Sequence, residues 1–112
     1  MASLDLMREV VARVNSSPQI VSELKGSPRV FQFKLEGEKP FYVEIKADGT
    51  MELHEGEHRN PTSTLMARDD VMADIIQGKR DGVQAFFQGL LKISGDVMAV
   101  QKLAGILSRG RR

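Results

Sequence analysis

The chain has 112 residues, 41% of them hydrophobic and 28% charged, with 10 Gly and 4 Pro, a composition that suits one globular domain and excludes disordered, fibrous and two-core architectures. Its net charge is +1, yet Arg109, Arg111 and Arg112 crowd the last four positions and leave 13 basic against 15 acidic residues elsewhere; basic residues so scattered exclude nucleic acid as the expected partner. Cysteine is absent and the longest apolar run is Val97–Val100, which excludes disulfides, thiol chemistry and a membrane-spanning helix of roughly 20 residues; with no basic and apolar leader in Met1–Asp5, a cytoplasmic location is expected.

Leu4, Met7, Val11 and Val14 recur at helical spacing, with Leu6 and Val10 beside them, and predict an amphipathic first helix. Asn15-Ser16-Ser17-Pro18 interrupts it, Ser17 and Pro18 provide an N-cap and first position for a short second helix, and Gly26 ends it. From Arg29 the period becomes two. Phe31, Phe33 and Leu35 alternate with Gln32, Lys34 and Glu36, then Phe41, Val43 and Ile45 alternate with Tyr42, Glu44 and Lys46, predicting two strands with one wet face each. Asp48-Gly49 signals a tight hairpin into a third strand carrying Met51 and Leu53.

Glu55–Pro61 is polar and predicts a crossover loop to a fourth extended run, Thr62–Ala67. Asp69 is expected to cap a helix burying Val71, Met72, Ile75 and Ile76 and stopping at Gly78. Asp81 and Gln84 form a capping-box pattern ahead of a short helix expected to bury Val83, Phe86 and Phe87. Leu91 and Ile93 flank Lys92 in a fifth strand. Asp96 then opens a closing helix to about Leu107, with Val97, Val100, Leu103, Ala104 and Leu107 as its stripe and Met98 and Ile106 nearby. The expected fold is α+β, in the order ααβββ, crossover, βααβα, with a five-stranded mainly antiparallel sheet and helices on one face.

His54-Glu55-Gly56-Glu57-His58 matches the zinc-peptidase pattern H-E-x-x-H. That chemistry needs a helix to bring both imidazoles onto one face. Here the pattern starts on a strand, contains Gly56 and runs into Asn60-Pro61, so a solvated loop is expected and a zinc hydrolase is the remote alternative. No nucleophile elbow, phosphate loop or dinucleotide fingerprint occurs, and Asp69 and Asp70 read as an acidic helix start. No catalytic residue, metal or cofactor is expected.

The most specific segment is residues 78–103: Gly78-Lys79, Gln84-Ala85-Phe86-Phe87-Gln88-Gly89, Leu91-Lys92-Ile93-Ser94-Gly95-Asp96 and Lys102-Leu103. It resembles the lipid-transfer domain of the sterol carrier protein 2 family, which reads G-K, a short helix ending F-x-G, a strand K-L-K-I-x-G and a closing helix with K-L. The upstream helix, D-G hairpin and Thr62–Leu65 run are similar too. Gly82 stands where that family often has Pro. Leu90 stands where it commonly has Lys, adding an apolar side chain near the expected mouth.

The resemblance implies a lipid-binding domain over residues 1–108, a basic solubilising tail over 109–112, and an apolar tunnel for a fatty acyl chain, acyl-CoA, sterol-like or prenyl lipid. The implied lining is Phe33, Val43 and Ile45, Leu65, Ile75 and Ile76, Phe86 and Phe87, Leu91 and Ile93, and Met98, Leu103 and Leu107, with Gln88 as a head-group donor; plain core is the competing reading of each apolar residue, and a surface position near a helix end that of Gln88. It further implies a non-catalytic carrier. The alternative is an accessory factor that presents an acyl or prenyl substrate to an enzyme complex, and the Arg109–Arg112 tail is suited to transient contact with an anionic membrane surface.

Overall fold

The switch from a 3.6-residue to a two-residue period marks where helix gives way to sheet. In the computed structural model, which describes residues 2–111, two helices, Ala2–Asn15 (α1) and Pro18–Leu24 (α2), lead into the strands Arg29–Glu36 (β1), Phe41–Ile45 (β2), Met51–Glu55 (β3) and Ser63–Arg68 (β4). Asp69–Ile76 (α3), Gly82–Phe87 (α4), Leu91–Gly95 (β5) and Val97–Gly110 (α5) follow. The element order is the expected one. The sheet runs β3-β2-β1-β4-β5; β1 and β4 are parallel and the other pairs antiparallel.

Register places the inward side chains in transverse rows. Phe41 lies opposite Phe33, Phe33 opposite Leu65 and Leu65 opposite Ile93. Phe33 and Phe41 stack at 4.8 Å between ring centroids. A second row joins Leu35, Ala67 and Leu91. Over the β3 edge, α1 packs closely, and Met7, Val10, Val14, Phe31, Val43, Ile45 and Met51 form a fully buried core there. Over β1, β4 and β5 the cover is α3, α4 and α5.

Local signals explain most boundaries. Ser17 accepts a hydrogen bond from the Ile20 N–H, Asp81 from those of Val83 and Gln84, and Asp96 from that of Ala99, each satisfying an orphan donor at a helix start. Gly49 has φ +90°, and a Cβ there would sit 2.0 Å from the Val21 carbonyl oxygen, so the hairpin tip admits only glycine. Asn15 donates to the Met51 carbonyl and accepts from the Met51 N–H at 2.9 and 2.8 Å, closing backbone groups of the edge strand that would otherwise invite another strand.

Four expectations need correction. Asp69 does not cap α3; its carboxylate accepts from the N–H groups of Ala2 and Ser3, both at 3.2 Å, so it caps α1 from a distance because the two helices start side by side. Gln32 is not on a wet face but 1% exposed. Its Nε2 donates to the carbonyls of Phe41 and Gly56, and its Oε1 accepts from the His58 N–H at 2.7 Å, because the crossover loop folds over the outer face of the sheet. The helix α4 buries only Ala85; Val83 and Phe87 are 61% and 80% exposed, since the face that carries Val83, Phe86 and Phe87 at i, i+3 and i+4 meets no packed core. Finally, the closing helix continues past Leu107 to Gly110. Arg109 there pairs with Glu23 and Arg111 donates to the Ile76 carbonyl at 3.0 Å, so these two residues are docked rather than a loose tail; Arg112 lies outside the described residues.

Three hydrogen bonds from one buried amide predict a stability cost when it is lost. Gln32→Met keeps the volume but strands buried backbone groups, and urea titration should show a loss of about 3 kcal/mol. Lys92→Met, at an exposed position, should stay within about 0.5 kcal/mol of the parent. Equal midpoints for the two variants would contradict the clamp.

Candidate functional site

Apolar side chains over the β4–β5 half of the sheet do not close into a solid core. They enclose a cavity of about 680 Å³, within the size range of small-molecule sites. Its floor is the transverse row Phe33, Leu65 and Ile93, with Leu91 in the next inward row. Its walls are Met72 and Ile75 from α3 and Val97, Val100, Leu103, Ala104 and Leu107 from α5. On α5 these positions recur at three- and four-residue steps, so one helix face is presented to the cavity over about 15 Å. Val83, Phe86 and Phe87 of α4 complete the lining while being 61%, 40% and 80% exposed, which makes them the rim of an open mouth.

Of the expected lining, Phe33, Leu65, Ile75, Phe86, Phe87, Leu91, Ile93, Leu103 and Leu107 come together around this cavity. Five residues do not. Val43 and Ile45 are buried in the solid core, because β2 lies beneath the α1 side of the sheet. Ile76 is 2% exposed within the core cluster; one step along α3 from Ile75 is about 100° of rotation. Met98 is 69% exposed beside Arg29 and Lys102, roughly half a turn around α5 from Leu107. Gln88 is exposed and ends α4: its backbone N–H donates to the Gln84 carbonyl, and the Gly89 N–H that follows donates to the Phe86 carbonyl. Leu90, 37% exposed, stands outside the lining as well.

Sequence reasoning missed Met72, Val83, Val97, Val100 and Ala104 as lining residues although the α5 stripe contains three of them. It also missed the polar members Arg80, Asp81, Gln101 and Arg111, for which the chain offers no periodic signal. Among the described residues these are the only charged or amide side chains of the lining, and apolar contact dominates. The arrangement offers no paired nucleophile and base; it can enclose an apolar chain.

The H-E-x-x-H stretch lies elsewhere. His54 is on β3 and His58 in the crossover loop; both rings pack on Tyr42, at centroid distances of 5.1 Å. Glu44, Glu52 and His54 bring potential ligand atoms within 4.8 Å of one another. Glu52 is already engaged by Lys46 Nζ at 3.1 Å and His54 Nε2 at 3.0 Å, and the hydrogen bond from Lys46, then that from His54, holds its carboxyl below the usual range.

Comparison with known proteins bears on the cavity. The family profile described as the SCP-2 sterol transfer family matches residues 7–108. A fatty acid-binding protein of Yarrowia lipolytica is 22% identical over 112 residues, covering 96% of this chain and 87% of the relative. The solution structure of a sterol carrier protein 2 from Aedes aegypti in complex with the C16 fatty acid palmitate superposes with a TM-score of 0.71 at 19% identity, over 96% of this chain and 94% of that one. A third likeness is to the inverting sec-alkylsulfatase Pisa1 from a Pseudomonas species, with a TM-score of 0.69 and 17% identity over 77% of this chain. The chain spans only 14% of that enzyme.

Two predictions follow from this geometry. Leu91→Glu sets an unpaired carboxylate on the cavity floor, so it should cost several kcal/mol in urea titration and abolish uptake of a fluorescent acyl probe, whereas Lys92→Glu should do neither; equal behaviour would show the strand register to be wrong. The melting midpoint should be the same with chelator and with stoichiometric Zn²⁺, and a rise of several degrees with zinc would assign the His54 region a metal.

Proposed function

The chain belongs to the SCP-2 sterol transfer family, and on that footing we propose that it is a non-catalytic carrier that holds one long-chain lipophile in the cavity between β1, β4, β5 and the helices α3, α4 and α5. The observation that carries this reading is the unfilled apolar volume itself. A chain of this length normally packs its apolar side chains to near-crystalline density, and here the α5 stripe faces about 680 Å³ of cavity instead.

Driving force requires no special contact. Each buried CH₂ contributes about 0.8 kcal/mol, so an acyl chain of some 16 carbons gains roughly 13 kcal/mol before ordering costs are subtracted. The exposed α4 rim gives the ligand a way in without unfolding the sheet. Among the described residues no helix is long and apolar enough to cross a membrane, and a cysteine-free carrier suits the reducing cytoplasm. Membrane contact in this reading is transient, made while lipid is collected or delivered.

A second reading has support of its own. In the sec-alkylsulfatase, a fold like this one occupies a small part of a longer chain, so the domain also suits a role in presenting an acyl or prenyl substrate to an enzyme. Stable co-purification with an enzyme would favour that role; lipid without a protein partner favours the free carrier.

A substitution that fills the cavity tests the common core of both readings. Ala104 lines the cavity and is solvent-exposed there, so Ala104→Trp adds a ring to open space. The melting midpoint of the delipidated protein should not fall, while displacing even two methylenes of ligand should weaken acyl-probe binding about tenfold. A variant that is destabilised and keeps full probe affinity would refute the cavity as the lipid site.

A further inference from the structure

The cavity is apolar nearly throughout, but its end between the α3–α4 turn and the last residues of α5 is cationic. Arg80 and Arg111 both line it, against a single carboxylate, Asp81. That carboxylate is committed to the start of α4 through the Val83 N–H at 2.8 Å and the Gln84 N–H at 3.3 Å. Arg111 is also partly committed, donating from Nη1 to the Ile76 carbonyl at 3.0 Å, and its guanidinium lies over Gly78, where a Cβ would come within 2.9 Å of Nε. A side chain at position 78 would have to push the Arg111 guanidinium aside.

Arg80 is different. It is half-buried, its Nε is fully buried with no hydrogen-bond partner, and it forms no ion pair or side-chain hydrogen bond with the described residues. A guanidinium carries five N–H donors in a fixed fork and stays charged at any pH a protein meets. Leaving a buried donor unmade costs free energy that a partner would recover. A wholly apolar lipophile has nothing to offer this group, and an ester or hydroxyl oxygen offers only the weaker bond of an uncharged acceptor. A carboxylate matches its fork, in the strongest class of hydrogen bond available to a side chain.

Resting on the lipid-carrier reading, we propose that Arg80 is the head-group anchor of the cavity, selecting amphiphiles with an anionic head over neutral lipids of equal length, and that Arg111 adds a second positive charge beside it. The ligand then lies with its head at the Gly78–Asp81 turn and its chain running along α5 over Phe33, Leu65 and Ile93. Arg80 thus decides which lipid is held and which way round, whereas the apolar walls supply most of the affinity.

The test compares cis-parinaric acid with its methyl ester, two fluorescent probes of the same chain and different head charge, titrated into the delipidated full-length protein. The parent should bind the acid about ten- to a hundredfold more tightly than the ester, the worth of one charged hydrogen bond. Arg80→Met, which keeps an unbranched apolar stem, should remove most of that preference, leaving only the small share of the exposed Arg111, while holding ester affinity within about twofold, and Arg80→Lys should restore part of it. Equal binding of acid and ester by the parent would overturn the anchor and leave the carrier reading standing. Binding of neither probe would overturn both. A preference undiminished in a folded Arg80→Met would take the role away from Arg80, and if that variant does not fold, the parent ratio and Arg80→Lys still decide.

Discussion

An apolar sheet face has to be covered, and over half of it the covering helices stand off the strands instead of packing into them. On the β3-β2-β1 side, the 14 residues of α1 lie over the strands, and Phe31, Val43, Ile45 and Met51 are excluded from water almost completely. On the β4–β5 side, the cover is the eight residues of α3, the six of α4 and one face of α5. That roof spans the floor without filling the space beneath it. Phe33 stands at the border, stacked on Phe41 toward the solid half and lining the cavity toward the other. The cavity is thus a consequence of helices that pack into one half of a continuous sheet and bridge over the other.

The floor depends on a long excursion of the chain. β4 must arrive beside β1, three strand spacings or about 14 Å from β3, and the seven residues between Glu55 and Ser63 can span that distance when extended. Their path lies over the outer face, where Gln32 grips Gly56 and His58 and Tyr42 packs against both imidazoles. The stretch that matches a zinc-peptidase pattern is in this sense a strap. It fixes the crossover that sets Leu65 against Phe33, and through Leu65 the position of Ile93 and β5.

Legibility in the sequence followed periodicity. Alternation from Phe31 to Leu53 and the stripe from Val97 to Leu107 gave the strands, the closing helix and the element order, because those patterns are local. Which face of the sheet is hollow is not local, so Val43 and Ile45 were indistinguishable in the sequence from Phe33 and Leu65. Gln32 occupied a polar position in a perfect alternation, and only the returning loop buries it. Phe86 and Phe87 were legible as an apolar helix face but not as a rim, since whether that face meets packed core or open space is set by distant elements. Arg80 and Arg111 are 31 positions apart in the chain and come to one place only because α3 and α5 end at the same side of the cavity.

Apolar walls, an exposed mouth and one cationic end suit the amphiphile carrier proposed for this cavity. The most direct measurement is isotope-filtered NMR of the protein with ¹³C-labelled palmitate, read as intermolecular NOEs between the acyl chain and assigned methyl groups. The account predicts contacts to Leu65, Ile75, Ile93, Leu103 and Leu107 and none to Val43, Ile45 or Met98. Contacts to Val43 and Ile45, or an acyl chain that gives no NOE to any methyl of the β4–β5 half, would contradict it.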